Sequence, residues 1–492
     1  MKAQNKAENY LKNGIAKGKI ADYIGAIQDY TKAIKFNPNF VRAYYFRGNA
    51  KVQLSDYIGA IGDYDNAIEI DSKYADAYKN RGIAKANLTD YTRAIQDFNN
   101  ALEINPNYAD AYLGRGLAKY NLSDYKGAIQ DCNRAIEINP NSAEAYNNRG
   151  SVKDGLSDYK GAVQDYTKAI EINPNDAEVY NNRGNAKLKL TDYNGAIQDC
   201  TKAIKINPKL ANAYNNRGNI KVELNNYREA IQDYIKAIEI NPNDAEVYYN
   251  CGIAKANLTD YRGAIQDFNN AIEIRHNFAR AYYNRGNIKT QLLDYDGAIQ
   301  DFNKAIAINP YDAVAYYTRG NNRTELIDYS GAIQDYTKAI DINPKFAEAY
   351  HTRGNVKRKL TDYQGAIQDY DKAIELNPKF VEAYYSRGNV KRKLTDYRGA
   401  IQDYDKAIEL YPEFAEAYSN RGLVKGTLTD YRGAIQDYTK SIEIHPDDAE
   451  AYVERGVAKY FFGDKTGACF DWRKAGNLGY SKAYDLLKQY CK

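Results

Sequence analysis

Apolar and small residues recur along this chain on a strict 34-residue period. From residue 7 to residue 482 there is no insertion or deletion, so the stretch divides into fourteen blocks. In the block Ala143–Asp176 these positions are Tyr146, Gly150, Leu156, Tyr159, Ala162, Val163, Tyr166, Ala169, Ile170 and Ile172. Steps of three and four from Tyr159 onward predict an amphipathic helix, and Tyr146, Gly150, Lys153 and Leu156 predict a shorter one before it. Ser157-Asp158 offers an N-cap to the second helix. Pro174 ends that helix, because proline lacks the N–H and restrains the residue before it. Asn175 and Asp176 then offer side-chain oxygens to the next helix start, and Glu178 complements its dipole. Each block thus predicts a helix–turn–helix pair. All eleven prolines, from Pro38 to Pro446, occupy the one position between pairs.

Gly150 lies inside a predicted helix, where glycine costs about 1 kcal/mol relative to alanine. It has an equivalent in every block, from Gly14 to Gly456. The expectation is close approach by a neighbouring helix, with Ala162 as the matching small surface and Tyr146 and Tyr166 wedged beside it. This pattern resembles the tetratricopeptide repeat: Tyr146, Gly150, Ala162, Tyr166, Ala169 and Pro174 stand at its signature offsets, as do their equivalents in almost every block. The resemblance covers residues 7–482. It implies an all-α, right-handed superhelical solenoid whose concave face is made mainly by the first helices. It also implies a non-catalytic scaffold that binds an extended peptide or protein surface in that groove. The blocks run 7–40, 41–74, 75–108, 109–142, 143–176, 177–210, 211–244, 245–278, 279–312, 313–346, 347–380, 381–414, 415–448 and 449–482, after a lead of residues 1–6. Residues 481–490 read as one more amphipathic helix, and 483–492 are set apart as a C-terminal cap. Tyr484 and Leu487 are expected to cover the open edge while Lys482, Lys488 and Lys492 face water.

Two departures from the resembled pattern are systematic. Arginine replaces the signature leucine in twelve blocks, as at Arg149, and Lys153 or its equivalent replaces the first-helix tyrosine. An aspartate recurs in every second helix, as at Asp165. Acids with the same period as the cations predict a ladder of ion pairs between helices rather than a basic stripe for an anionic ligand.

Polar residues also form rows. Asn148, Asn182, Asn216, Asn250 and Asn284 share one first-helix position in five consecutive blocks, and Asn185, Asn219, Asn287, Asn321, Asn355 and Asn389 share another, three residues on. In the resembled family such positions line or border the groove, and a carboxamide can pair with a peptide backbone through donor and acceptor. The row is similar to the asparagine ladders in the repeat arm of O-linked N-acetylglucosamine transferases. The alternative is that these amides are polar surface or pair across adjacent first helices. Tyr45, Tyr249, Tyr283, Tyr317, Tyr385 and His351 precede the first row by one residue and are candidate anchors. Arg358 and Lys359 in one block, with Arg392 and Lys393 in the next, form a local basic patch near the groove.

Composition narrows the function without naming a partner. The 492 residues carry 68 Lys and Arg against 64 Asp and Glu, a formal charge of only +4. Single-stranded RNA binding, known in other helical-pair repeats, calls for a more basic groove. Mean hydropathy is −0.72 and no run is long and apolar enough for a membrane span. The N-terminal residues show no signal-peptide pattern, so the expected location is cytoplasmic. Cys132 and Cys200 replace an aromatic residue and read as small buried side chains; with Cys251, Cys469 and Cys491 they show no ligand spacing and agree with a reducing compartment. Three scattered histidines, no phosphate loop and no catalytic triad argue against an enzyme, and no cofactor is expected. The expected partner is a protein or peptide. A variant of this reading is an adaptor arm in a chaperone or glycosyltransferase assembly.

Overall fold

The computed structural model describes residues 2–491. Among them are twenty-nine helices and no strand, numbered here in chain order from α1 (Lys2–Lys19) to α29 (Lys482–Tyr490). They fall into two units, one ending at Thr259 and one beginning at Asp260, so that α1 to α15 (Ala245–Asn257) belong to the first and α16 (Tyr261–Ile274) to α29 to the second. Within each unit, successive helices pack on one another. Approaches between alternate helices involve the odd-numbered ones, the first members of the pairs. First helices therefore make the inner layer of each unit and second helices the outer.

The pair α9 (Ala143–Gly155) and α10 (Tyr159–Ile172) shows why the period folds this way. Asp158 accepts from the Gly161 amide at 3.0 Å and caps α10. Ser157 is not the cap: it sits at φ 61°, in the left-handed region. The same position has positive φ from Ala21 to Thr429, none of them glycine, and Gly463 takes it in the last pair. Such a conformation costs an L-residue about 1–2 kcal/mol, and the repeated packing on both sides offsets it.

Gly150 meets the ring of Tyr166; a Cβ there would lie 2.7 Å from Cε1. The small surface thus fits the second-helix aromatic, and in pairs such as the one with Gly184 it also admits the carbonyl of Ala196, 3.2 Å from the same imagined Cβ. Ala162 and Ala169 are completely buried beside it.

The ion-pair ladder is present and has a third leg. Asp165 is buried and accepts from Arg149 Nε at 2.9 Å and Nη2 at 2.5 Å, with Lys153 Nζ 2.7 Å from Oδ2, the oxygen that also accepts from Nε. The remaining Arg149 nitrogen, Nη1, donates at 2.7 Å to Asn133 Oδ1 on the second helix of the preceding pair. All twelve arginines do the same, to Thr, Asn or Asp. One planar side chain thus closes its own pair and staples it to the previous one. Where Cys251 replaces the arginine, the acceptor position of the preceding pair holds Ile235. The guanidinium of Arg149 also lies over Tyr146, 5.4 Å from the ring centre.

The C-terminal end departs from expectation. Cys469 on α28 (Lys465–Asn477) and Cys491 after α29 form a disulfide, so two of the five cysteines are paired. Only α29 folding back on α28 brings them together. Cys132 and Cys200 are buried as small side chains. Burial of α29 rests on Ala483, with Leu486 and Leu487 packed on the same cluster as Trp472, and on Tyr490, whose ring lies 4.9 Å from that of Tyr460. Tyr484, expected as a cover, is half exposed and lies over Gly476. Lys482 and Lys488 face water, while Lys492 lies outside the described residues.

Candidate functional site

The inner layer presents first-helix side chains in lateral contact with the next first helix. In the first unit, Asn182 Nδ2 donates to Asn147 Oδ1 at 3.3 Å, Asn216 to Asn181 at 2.9 Å and Asn250 to Asn215 at 3.2 Å. Asn148 has the buried Leu113 as its counterpart in the preceding pair and lacks that amide neighbour. In the second unit Asn284 donates to the Arg280 carbonyl at 3.0 Å. The pairing therefore runs across adjacent first helices. Each pair uses one N–H of the donor amide and leaves its carbonyl oxygen open to another partner.

The tyrosine row is built into the same joints. Tyr283 shares a hydrogen bond with Thr318, Tyr317 with Thr352, His351 with Ser386, and Tyr385 accepts from Asn420 at 2.8 Å. The rings of Tyr317, His351 and Tyr385 also pack on the aromatic at the end of the same block, as Tyr317 does on Phe346 at 4.9 Å. Tyr249 is half-buried on α15. The rings of Tyr283, Tyr317, His351 and Tyr385 hold repeats together and are not free anchors. Burial of His351 pulls its imidazole pKa below the ordinary value.

The second asparagine row has a different partner. Asn219, Asn321, Asn355 and Asn389 accept from the hydroxyls of Tyr234, Tyr336, Tyr370 and Tyr404, at 2.8 to 2.9 Å. They satisfy a buried phenol that would otherwise lack an acceptor. Asn185 and Asn287 stand before Cys200 and Phe302, which carry no hydroxyl. Both are half-buried amides with no internal demand on them.

The basic residues do not merge into one patch. Arg358 lies against the Tyr370 hydroxyl and Arg392 against that of Tyr404; burial, partly offset by the guanidinium, pushes each phenol up to about 12. Lys359 lies 5.5 Å from the ring centre of Tyr329, and Lys393 is exposed.

One feature of the inner layer escapes the row pattern. Between α25 (Ala415–Thr427) and α27 (Ala449–Phe462) a recess of about 260 Å³ opens over Tyr438 of α26 (Tyr431–Ile444), with Glu416, Glu450 and Glu454 on its walls. Its sequence signal is a double departure: Leu423 where the tyrosine-capping asparagine is usual, and Glu454 where neighbouring blocks carry Asn, Ser or Thr.

Among the described residues no cluster of three His, Cys, Asp or Glu side chains could hold a metal ion, and no helix is long and apolar enough to cross a membrane. No curated protein matches the chain. Among solved structures, MamA is 28% identical over 35% of this chain and 94% of its own, with a TM-score of 0.33. YrrB, described as a TPR protein with an unusual peptide-binding site, is 26% identical over 37% of this chain and 95% of its own, with a TM-score of 0.34. The APC/C hetero-tetramer Cut9–Hcn1 is 14% identical over 92% of this chain and 96% of its own, with a TM-score of 0.42. At such TM-scores these likenesses carry no argument of their own. The family models do. The TPR repeat model matches residues 48–88, 90–123, 156–191, 218–258, 260–292, 324–360, 354–394 and 388–428, more than half of the chain. Further tetratricopeptide repeat models match 109–142, 177–210 and 279–312, as well as 200–232 and 415–448. With the helix pairs and their shared packing positions, these matches mean that the chain belongs to the tetratricopeptide repeat family.

Proposed function

We propose that this protein is a non-catalytic scaffold whose first-helix layer binds an extended peptide or protein surface. One observation carries the reading. The arginines of twelve pairs are spent on Arg149-type joints, whereas the half-buried amides at Asn182, Asn216 and Asn250 recur once per repeat with an acceptor to spare. Asn185 and Asn287 add amides free of internal duty, and a backbone running along the layer would meet such groups at each repeat. Asn148, Asn219 and Tyr249 in the first unit, and Tyr283, Asn284, Arg358, Lys359, Arg392 and Lys393 in the second, lie on first helices and take supporting parts beside their internal contacts.

The test is photo-crosslinking in native lysate, with a benzophenone amino acid at position 185, at 287, or at the exposed outer-layer Lys168. Partners captured from 185 and 287 but not from 168, and reduced by N182A/N216A/N250A, support the reading. Capture from 168 alone ends it. The expected cytoplasmic location stands against the Cys469–Cys491 disulfide, because disulfides persist chiefly in oxidising compartments. Alkylation of the native protein before reduction decides between them: two blocked thiols place it in a reducing compartment, two protected ones in an oxidising compartment.

A further inference from the structure

The recess between α25 and α27 is an acidic site, with His445 also on its lining and no ion pair to its glutamates among the described residues. Glu450 and Glu454 stand one turn apart on α27, and Glu416 faces them from α25. None of the three joins an ion pair among the described residues, whereas the buried aspartates of the ladder hold two cations apiece. Burial, and next the charge of Glu450, push the Glu454 carboxyl above its ordinary pKa.

The floor supplies a second, independent observation. Tyr438 is 3% exposed, lines the recess, and its hydroxyl has no hydrogen-bond partner among the described residues. Its counterparts Tyr64, Tyr234, Tyr336, Tyr370 and Tyr404 all donate to an asparagine one helix away. Here Leu423 has replaced that asparagine. The hydroxyl is not sealed off from the recess, so it is open to a hydrogen bond with whatever enters it.

Beside the acidic recess a hollow of about 230 Å³ shares Leu423, Tyr438 and Glu454 with it and continues to Tyr431 and Phe461. Those two rings stack at 5.5 Å, and Phe461 is largely exposed. Acidic pocket and apolar shelf thus form one continuous surface.

We propose that this surface binds an arginine side chain of a peptide partner, with an apolar residue next to that arginine seated on the Tyr431–Phe461 shelf. The inference rests on the scaffold reading above and gives it a chemistry. A guanidinium suits the site because its planar fork can reach two carboxylates and a phenol oxygen together, it is weakly hydrated, and its methylene stem can lie along Leu423.

Selection of random dodecapeptides displayed on phage against the full chain tests it, followed by titration of one selected peptide. The expected result is enrichment of arginine beside Leu, Ile, Phe or Met. Replacing that arginine by the neutral isostere citrulline, or using E450Q/E454Q protein, should weaken binding at least ~tenfold, as expected when one side of a desolvated charge pair is removed. The exposed pair E375Q/E409Q should leave binding unchanged and controls for general attraction to acids. Thermal melts of E450Q/E454Q confirm that the fold persists. Peptides selected without a basic residue, or arginine enrichment that survives E450Q/E454Q, overturn this inference and leave the scaffold reading intact. Binding of spermidine as tight as that of the selected peptide overturns the peptide assignment. No selected peptide, together with no crosslink from positions 185 and 287, overturns both readings.

Discussion

The joint around Asp165 and the recess around Glu454 are built on helix pairs of the same kind and end in opposite states. At the joint a buried carboxylate receives Arg149 and Lys153, and the spare guanidinium nitrogen finds Asn133 in the preceding pair. At the recess two carboxylates on one helix share a pocket with an unpartnered phenol. The first arrangement recurs along both units and holds repeats in register. The second is a local break in the pattern, made by Leu423 and Glu454 together. Binding capacity in such an array arises where internal pairing has been withdrawn, because a polar group already satisfied within the protein gains little from a ligand.

The largest effect should come from breaking the joint. D165A leaves Arg149 and Lys153 largely buried without their counter-charge and should cost about 3–5 kcal/mol locally. Hydrogen exchange across α9 and α10 reads it better than a global melt, since a repeat array can open piecewise. Next, N389L copies the recess's defect into the neighbouring repeat, stranding the Tyr404 hydroxyl at a cost of about 1–3 kcal/mol by urea unfolding. Conversely, L423N should give Tyr438 the acceptor its counterparts have. It is expected to stabilise the second unit by about 1 kcal/mol while weakening peptide capture in the recess. If L423N strengthened capture, the contrast between satisfied and open repeats would be wrong.

The smallest effect is a change in pH dependence. Glu454 has its pKa raised on folding, so between its unfolded value of about 4.3 and its folded value the native state binds more proton than the unfolded one. Stability therefore falls as pH rises through that window. E454Q should flatten this part of the profile and melt higher than the parent at neutral pH. A parent profile no steeper than that of E454Q between pH 4 and pH 7 would remove the argument that Glu454 is uncompensated.

Much of this was legible in the chain itself. Three-and-four spacing, the proline between pairs and the Asp158 cap are local signals, and the helices follow them. The pairing of Arg149 and Lys153 with Asp165 was readable too, because cations and acid repeat with one period. The third leg to Asn133 was missed although its position is periodic, since Thr, Asn and Asp there look like ordinary polar surface. The amide rows were visible while their roles were not. Asn219 and Asn185 occupy the same position, yet only Asn219 faces a hydroxyl, because Tyr234 and Cys200 differ across the pair.

The sequence by itself determined the family, the helix pairs and the electrostatic joint, all of which depend on residues compared at a fixed offset of 34. The tertiary structure decided which polar groups remain available. Lateral bonds join residues 35 apart, the third leg of the joint reaches back 16 residues to the preceding pair, and the disulfide joins residues 22 apart. None of these is a distance the repeat alignment compares. Whether an asparagine, a tyrosine or a glutamate has a partner depends on the side chain lying opposite it in the folded array. Leu423 thus reads as one more apolar residue in the chain, and as an open floor beneath Glu454 only once α25, α26 and α27 are packed together.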